Sequence, residues 1–280
     1  MVGRYFLHRA SDSIKGDFGR TLIIGGSSAY PNAPLIALCL ASSSGVGYVA
    51  ASFPQEVKEI DLPWMPLTAI YEDCFEKKET SPSRLNRYDS ILFGNGVAKS
   101  EENKAFLLGL LTNYQGNLVI DATGIDLFGE ILQEGYSPEK AKAQILLTPH
   151  VGEFNRLVGA SSFSRDPNRE DAALFAKKWG VYLLLKSNSS ALYGPKGEKI
   201  LSSYPSTPAL AKAGSGDGLA GFLSGLLAYG GKSDSFLSVV EFGDEYFHQA
   251  ARLMERELTQ GFSSVIDLPP YLRKLALSLE

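Results

Sequence analysis

Ala213-Gly214-Ser215-Gly216-Asp217-Gly218 opens onto a run whose apolar positions are Leu219, Phe222, Leu223, Leu226 and Leu227. That i, i+3, i+4, i+7, i+8 spacing is the stripe of a helix packed on one side. The first-turn N–H groups of such a helix have no partner within it and lie at the positive end of its dipole. Glycines beside them let the backbone approach an anion closely, so the loop has the chemistry of a phosphate cradle. An acid on that cradle is poorly suited to binding phosphate itself. Its chemical use is to take a proton from a hydroxyl that attacks phosphorus. A plain helix cap by Ser215 or Asp217 accounts for the same residues, and the motif alone does not separate the two.

Outward from this loop, short apolar runs alternate with helical patterns. The runs predict strands at 21–24, 47–51, 67–70, 90–93, 118–120, 144–147 and 181–185, with a hairpin of 191–193 and 198–202 turning at Gly194-Pro195-Lys196-Gly197. Helices are expected at 34–44, 101–113, 152–159, 168–179, 216–229 and 235–257, and irregular loops at 54–66 and 76–87. Several strands are apolar at nearly every position, as strands covered on both faces are. The alternation implies an α/β protein with a mostly parallel central sheet and helices on both faces. No repeat or long linker interrupts it, so residues 1–280 are expected to form a single domain, with 1–18 as an arm or helix on its surface.

The polar residues fall at matching places. Ile24 runs into Gly25-Gly26, Phe93 into Gly94-Asn95-Gly96, Ile120 into Asp121, Leu147 into Thr148-Pro149-His150, and Leu185 into Lys186. In open α/β sheets the ligand sits beyond the carboxyl ends of the strands, so these termini predict one shared cleft. Each has a plainer alternative. Asp121 either caps the following segment at 122–128 or holds a magnesium-bound water or a substrate hydroxyl. His150 is either a ligand contact or a polar group satisfied at a helix start. Glu153 either complements the helix dipole or orients magnesium waters. Lys186 either reaches a phosphate or snorkels to solvent. Cys39 reads as core, and His248 and Met254, on a long helix, read as packing.

Composition excludes several classes. A hydrophobic content of 44%, 21% charged residues and a net charge of −4 describe an ordinary globule without a nucleic-acid footprint. Three distant histidines and two cysteines offer no metal-binding spacing, and two thiols fit a reducing cytosol. The N-terminus has no apolar core of a signal peptide, and the apolar run 33–41 is too short to span a bilayer. Small molecules are thus the expected partners, with no nucleic acid and no membrane; assembly into a homo-oligomer stays open.

At these residues the chain resembles the NAD(P)H-hydrate dehydratases of the ribokinase-like superfamily. The similar segments are Ile24-Gly25-Gly26-Ser27 with Pro31-Asn32-Ala33-Pro34, Gly94-Asn95-Gly96, Val119-Ile120-Asp121-Ala122, Leu147-Thr148-Pro149-His150-Val151-Gly152-Glu153-Phe154, Leu185-Lys186 and Pro208 through Asp217. They run in order from about residue 20 to 270. Thr-Pro-His-x-Gly-Glu is the most specific of them, whereas Gly-Ser-Gly-Asp is shared with small-alcohol kinases of the superfamily. The resemblance implies a ribokinase-like fold, here expected without the commonly fused epimerase domain. It also implies repair of hydrated NADH or NADPH: ADP or ATP with Mg2+ phosphorylates the ring hydroxyl, and phosphate then leaves. By position, Asp217 would be the catalytic base. Ala33, Gly96, Asp121, His150 and Asp217 would meet the hydrate. Lys186, Ser187, Asn188, Ser189, Ser190, Gly214, Ser215 and Gly216 would meet the nucleotide, and Glu153 would touch the metal through water. The departures from the family pattern are Asn95 for proline, Thr123 for aspartate, Ser187 for glycine and Gly218 for a larger residue. The rival expectations are a kinase of a small heterocyclic alcohol, such as a thiazole or pyrimidine vitamin precursor, and a non-catalytic nucleotide-binding protein.

Overall fold

In chain order the elements are β1 (Arg20–Ile24), α1 (Asn32–Ser42), β2 (Tyr48–Ser52), α2 (Gln55–Lys58), β3 (Ile70–Tyr71), α3 (Pro82–Leu85), β4 (Ser90–Phe93), α4 (Glu101–Asn113), β5 (Asn117–Ile120) and α5 (Thr123–Gln133). They continue with β6 (Gln144–Leu147), α6 (Val151–Leu157), α7 (Arg169–Trp179), β7 (Tyr182–Leu185), β8 (Ala191–Tyr193), β9 (Lys199–Leu201), α8 (Ser215–Gly230), α9 (Phe236–Phe262) and α10 (Leu268–Leu277). The computed structural model describes residues 9–59, 66, 68–138, 141–159, 169–203, 206–230 and 235–278.

One nine-stranded sheet carries the fold, in the order β3-β2-β1-β4-β5-β6-β7-β8-β9. Pairing is parallel from β3 through β7. It turns antiparallel only at the β7–β8 and β8–β9 hairpins. Successive side chains on a strand face opposite ways, so each strand feeds two cores. Ile23, Leu92, Val119, Leu146 and Leu184 pack with α1, α8, α9 and α10. Leu22, Ile24, Ile91, Phe93, Leu118 and Ile120 pack with α4, α5 and α7. Because β1, β4, β5, β6 and β7 are mutually parallel, all their carboxyl ends lie on one edge of the sheet.

α8 departs from expectation in an informative way. Its apolar stripe is present: Leu219, Phe222, Leu223, Leu226 and Leu227 are all buried, each contributing roughly 1.5–3 kcal/mol. The helix is nevertheless buried nearly all round, not on one side only. On the sheet side, Ser224 shares hydrogen bonds with Thr21 (2.8 Å) and Ser90 (3.0 Å). On the opposite side, Gly221 and Gly225 lie flat against α1. A Cβ on Gly221 would stand 2.1 Å from the Ala37 carbonyl oxygen, and one on Gly225 would stand 2.1 Å from Ser44 Oγ. The serine and the glycines, which a hydrophobicity pattern counts as polar or neutral, are contact surfaces here.

Other expectations shift modestly. The strand foreseen at 67–70 is the short, exposed edge Ile70–Tyr71, and Leu67 lies outside the described residues. The two loops foreseen as irregular contain the single-turn helices α2 and α3, and residues 60–65 lie outside the described set. The segment after Asp121 is an eleven-residue helix, longer than foreseen. α9 runs past 257 to Phe262, interrupted at Thr259, where φ is 65°. α10 was not foreseen; its prolines occupy the first helical turn, where a missing N–H costs nothing. Of the arm at 1–18, residues 15–18 form a 3-10 turn whose Phe18 packs edge-on against Tyr229, and residues 1–8 lie outside the described set. Cys39 and Met254 are core residues, as expected.

Gly221→Ala should destabilise the protein by roughly 1–3 kcal/mol, because the added methyl meets rigid backbone and not a side chain that can turn away. Gly261→Ala, whose Cβ would meet nothing within 4 Å, is the control. Urea-denaturation midpoints of the two variants check this, and equal midpoints would refute the close-packing argument.

Candidate functional site

The strand ends converge through backbone contact first. The Gly26 N–H donates to the Asn95 carbonyl at 2.9 Å, joining the loops after β1 and β4. Gly94, at φ 125°, presses on the loop after β5; a Cβ there would sit 2.0 Å from the Asp121 carbonyl oxygen. Ala122 follows Asp121 at φ 50°, a left-handed conformation costly for any side-chain-bearing residue. The strand-to-helix turn that presents Asp121 is therefore held by its surroundings rather than by local preference.

Asp121 is 2% exposed and fully engaged. Its Oδ1 accepts from Thr148 Oγ1 and from Lys186 Nζ, both at 2.7 Å, and its Oδ2 accepts from Asn95 Nδ2 at 2.9 Å. The same Asn95 amide donates to Asp217 Oδ1 at 2.6 Å. One side-chain amide thus bridges two carboxylates that are far apart in the sequence. Burial, then the Asp121 charge, raises the Asp217 pKa to about 6, while Asn95 and Lys186 oppose the shift. Burial works against the Lys186 ammonium, but Asp121, Glu153 and Asp217 outweigh it and hold its pKa above the ordinary value. Lys186 is no snorkelling residue: its side chain turns inward to the carboxylates.

His150 combines both of the roles open to it. Its Nδ1 accepts from the Gly152 N–H (2.9 Å) and the Glu153 N–H (3.3 Å), and so caps α6. The Glu153 carboxylate returns the bond by accepting from the His150 N–H at 2.8 Å. A ring nitrogen that accepts carries no proton, so the neutral imidazole bears its hydrogen on Nε2. The side chain is 57% exposed, and its Nε2 stands 3.5 Å from Glu153 Oε1. Burial and the Lys186 charge lower the His150 pKa, favouring this neutral form. Glu153 is buried, and burial raises its pKa to about 7. Ala33 and Gly96 adjoin one another, since a Cβ on Gly96 would lie 3.3 Å from that of Ala33.

Beside this network opens a cleft of about 230 Å³, lined by Lys186, Ser187, Ser190, Ser215 and Gly216 among the residues foreseen for nucleotide. Asn188, Ser189 and Gly214 do not line it. Asn188 is exposed, and the Ser189 N–H closes a local turn on Ser187 Oγ at 3.3 Å. Phe247 and His248 of α9 line the cleft as well, so His248 is more than the packing residue that its helical position suggested. Sequence reasoning also missed Asn95 as the bridge between carboxylates and Thr148 as a donor to Asp121. Their position at strand ends was the available signal. Nothing in sequence spacing could have placed α9 against the cleft. Among the described residues no group of three His, Cys, Asp or Glu side chains could hold a metal ion. Nor is any helix among them long and apolar enough to cross a membrane.

A family model described as NAD(P)H-hydrate dehydratase matches residues 21–259. The chain belongs to that family. Among the relatives of this dehydratase-family chain, the bifunctional NAD(P)H-hydrate repair enzyme Nnr of Salinibacter ruber is 33% identical over 231 residues. That match covers 79% of this chain and 42% of the relative. The chain spans about half the length of the bifunctional relatives it matches. The ADP-dependent (S)-NAD(P)H-hydrate dehydratase of Streptococcus thermophilus is 29% identical over 242 residues, covering 86% of this chain and 84% of the relative. Among solved structures, the ADP/ATP-dependent NAD(P)H-hydrate dehydratase of Bacillus subtilis, co-crystallised with ATP and Mg2+, superposes with a TM-score of 0.83 at 25% identity. It covers 100% of this chain and 96% of that one. Ribokinase of Arabidopsis thaliana shares the fold alone, at a TM-score of 0.58 and 12% identity.

Two substitutions test the site's construction. In Gly216→Val the new Cβ would stand 3.1 Å from Lys186 Nζ, with both methyls beyond it. Nucleotide affinity should fall at least tenfold in calorimetric titration while the thermal midpoint moves little; unchanged affinity would reduce the loop to a helix cap. His150→Ala removes a cap and a cleft-facing N–H together. It should cost about 1 kcal/mol of stability in denaturant titration and, because His150 lines the same cleft as Lys186 and Gly216, lower nucleotide affinity by less than Gly216→Val does. Loss of nucleotide affinity equal to that of Gly216→Val would place His150 on the nucleotide side.

Proposed function

We propose that this chain dehydrates hydrated NADH or NADPH at the expense of ADP or ATP. The observation that carries the proposal is Asp217. It is a mostly buried carboxylate at the amino end of α8, sharing the Asn95 amide with Asp121 and adjoining Lys186, in a chain of the dehydratase family. The S. thermophilus and B. subtilis relatives carry the nucleotide dependence in their names.

In this reading the hydrate's ring sits over Ala33, Gly96 and His150, with its hydroxyl directed at Asp217. The Asn95 N–H groups orient the carboxylate, and Asp217 takes the hydroxyl proton as the oxygen attacks the terminal phosphorus. The Gly216 N–H at the start of α8, together with Lys186 Nζ, receives the transferring phosphoryl and the remaining phosphates. Enclosed by its partners, Asp121 acts by positioning Lys186 and Asn95. Phosphate then departs with the electron pair of the C–O bond, displaced by the lone pair of the ring nitrogen. A proton then passes from the neighbouring ring carbon to the released phosphate, which restores the dihydronicotinamide. The second stage requires positioning and phosphate stabilisation but no further acid.

The donor set fits a magnesium ion that arrives on nucleotide phosphates, not a resident one, because such ions bind through one or two carboxylates and retain several waters. Glu153 would orient those waters, and the ion would offset charge on the phosphates. We read the chain as one catalytic domain built on its single sheet. We assign it to the cytosol, in keeping with its buried free thiols Cys39 and Cys74.

Combining protein, magnesium, hydrated cofactor and ADP or ATP should raise the near-ultraviolet absorbance of reduced nicotinamide, with one inorganic phosphate released per cofactor restored. A stable phosphoester without phosphate release would instead mark a small-alcohol kinase. Asp217→Asn should lower turnover by about 10² or more, with nucleotide affinity retained. Because the raised pKa of about 6 keeps Asp217 protonated in acid, kcat/KM should rise with pH through that value and level off above it. A flat profile between pH 5 and 7 would remove Asp217 as the base.

A further inference from the structure

Asp121 and Asp217 meet at a single amide. Asn95 Nδ2 stands 2.9 Å from Asp121 Oδ2 and 2.6 Å from Asp217 Oδ1, so one nitrogen separates two carboxylates of like charge. Their surroundings are unequal. Asp121 also accepts from Thr148 Oγ1 and Lys186 Nζ. Among the described residues, Asn95 is the one side-chain donor to Asp217. The chemistry fixes which way the amide points, because turned over it would set its oxygen against both carboxylates. In the orientation present, Asn95 is 0% exposed and its Oδ1 has no hydrogen-bond partner. A buried acceptor left without a partner costs free energy, and packing alone does not call for one. What the residue supplies in return is two N–H groups, one for each carboxylate. Asn95 stands where the family pattern has proline, whose ring carries no polar donor, so the arrangement is particular to this chain.

We propose that Asn95 is a positioning residue that keeps Asp217 from sharing a proton with Asp121, and so leaves Asp217 ionised and able to act as a base near neutral pH. The kinetic consequence rests on the reading of Asp217 as the base; the titration itself does not. Two neighbouring carboxylates with no donor between them do not both ionise readily, and a shared proton takes the place of the missing donor. Asp121 is the member that stays ionised, because Lys186 and Thr148 hold it. The proton would therefore reside on Asp217. Asn95 prevents this by giving each carboxylate an N–H of its own. The charged groups around Asp217 do not substitute for it. Lys186, at the end of β7, favours the ionised form but is committed to Asp121 at 2.7 Å, and Asp121 itself disfavours that form. Glu153 on α6 and His150 before it face Lys186 and Asp121.

Infrared titration of the whole protein without ligands reads protonated carboxyl groups directly, and the difference spectrum against Asp217→Asn assigns the Asp217 band. In wild type that band should vanish with a midpoint of about 6 as pH rises. In Asn95→Ala, with folding checked by thermal melts, the midpoint should rise by about one pH unit or more. Asn95→Ser keeps a hydroxyl that can donate to one carboxylate. It should raise the midpoint by less, and it carries the test should the alanine variant fold poorly. In an Asp121→Asn background, where the second carboxylate is gone, Asn95→Ala should move the midpoint less than it does in the wild-type background. The pH profile of kcat/KM for the hydrate should follow the same displacement, with activity recovered on the alkaline side. A residue that only fills space would lower the rate at every pH and leave the midpoint in place. An Asp217 midpoint unchanged in the folded Asn95 variants overturns this inference and leaves the dehydratase reading standing. A displaced midpoint in a protein that does not dehydrate the hydrate upholds the inference and overturns that reading instead.

Discussion

The buried ion pair between Asp121 and Lys186 is the interaction on which the site's geometry depends. Taking two charges out of water is costly, and their attraction offsets that cost only when the geometry is good and the other lone pairs and protons are satisfied. Here Thr148 and Asn95 complete the Asp121 oxygens. The pair therefore fixes the ends of β5 and β7 relative to one another, with β6 between them contributing Thr148. Asn95 extends the same network across β4 to α8. A cluster of this kind contributes little net stability for its size, but it specifies where each polar atom stands.

The network also carries an imbalance. Lys186 faces Asp121, Asp217 and Glu153, so three carboxylates share one ammonium. With burial, this leaves Asp217 and Glu153 with pKa values of about 6 and 7, far above those of free carboxylates. A carboxylate so raised is a better proton acceptor near neutrality than an exposed one. The arrangement that costs folding energy is the one that makes acid–base chemistry available.

A second constraint positions the other half of the site. α8 can deliver its amino end to the strand termini only because Gly221 and Gly225 allow its backbone onto α1 and Ser224 seats it on the sheet. Buried along most of its length, the helix brings its amino end, the positive end of its dipole, to the cleft that Ser215 and Gly216 line. α9 also borders the cleft, bringing Phe247 and His248 to it.

The alternation of apolar strands with helical patterns was enough to imply a parallel sheet, because period and length are local properties. Parallel strands share a carboxyl edge, so the chain by itself also indicated that Gly94, Asp121, His150 and Lys186 would gather there. Its serines and glycines gave no such guidance. Ser224 and Gly221 look neutral in a hydrophobicity pattern, and their purpose appears only in the helix and strands pressed against them. The same holds for Asn95, whose amide is ordinary until it lies between two carboxylates from positions 121 and 217. His248 is the clearest case: its helical spacing marks a buried face, and only the packing of α9 shows that this face also borders a cleft. Local sequence determines which elements form. Which polar atoms meet depends on contacts between residues far apart in the chain, where proximity is set by packing and not by spacing.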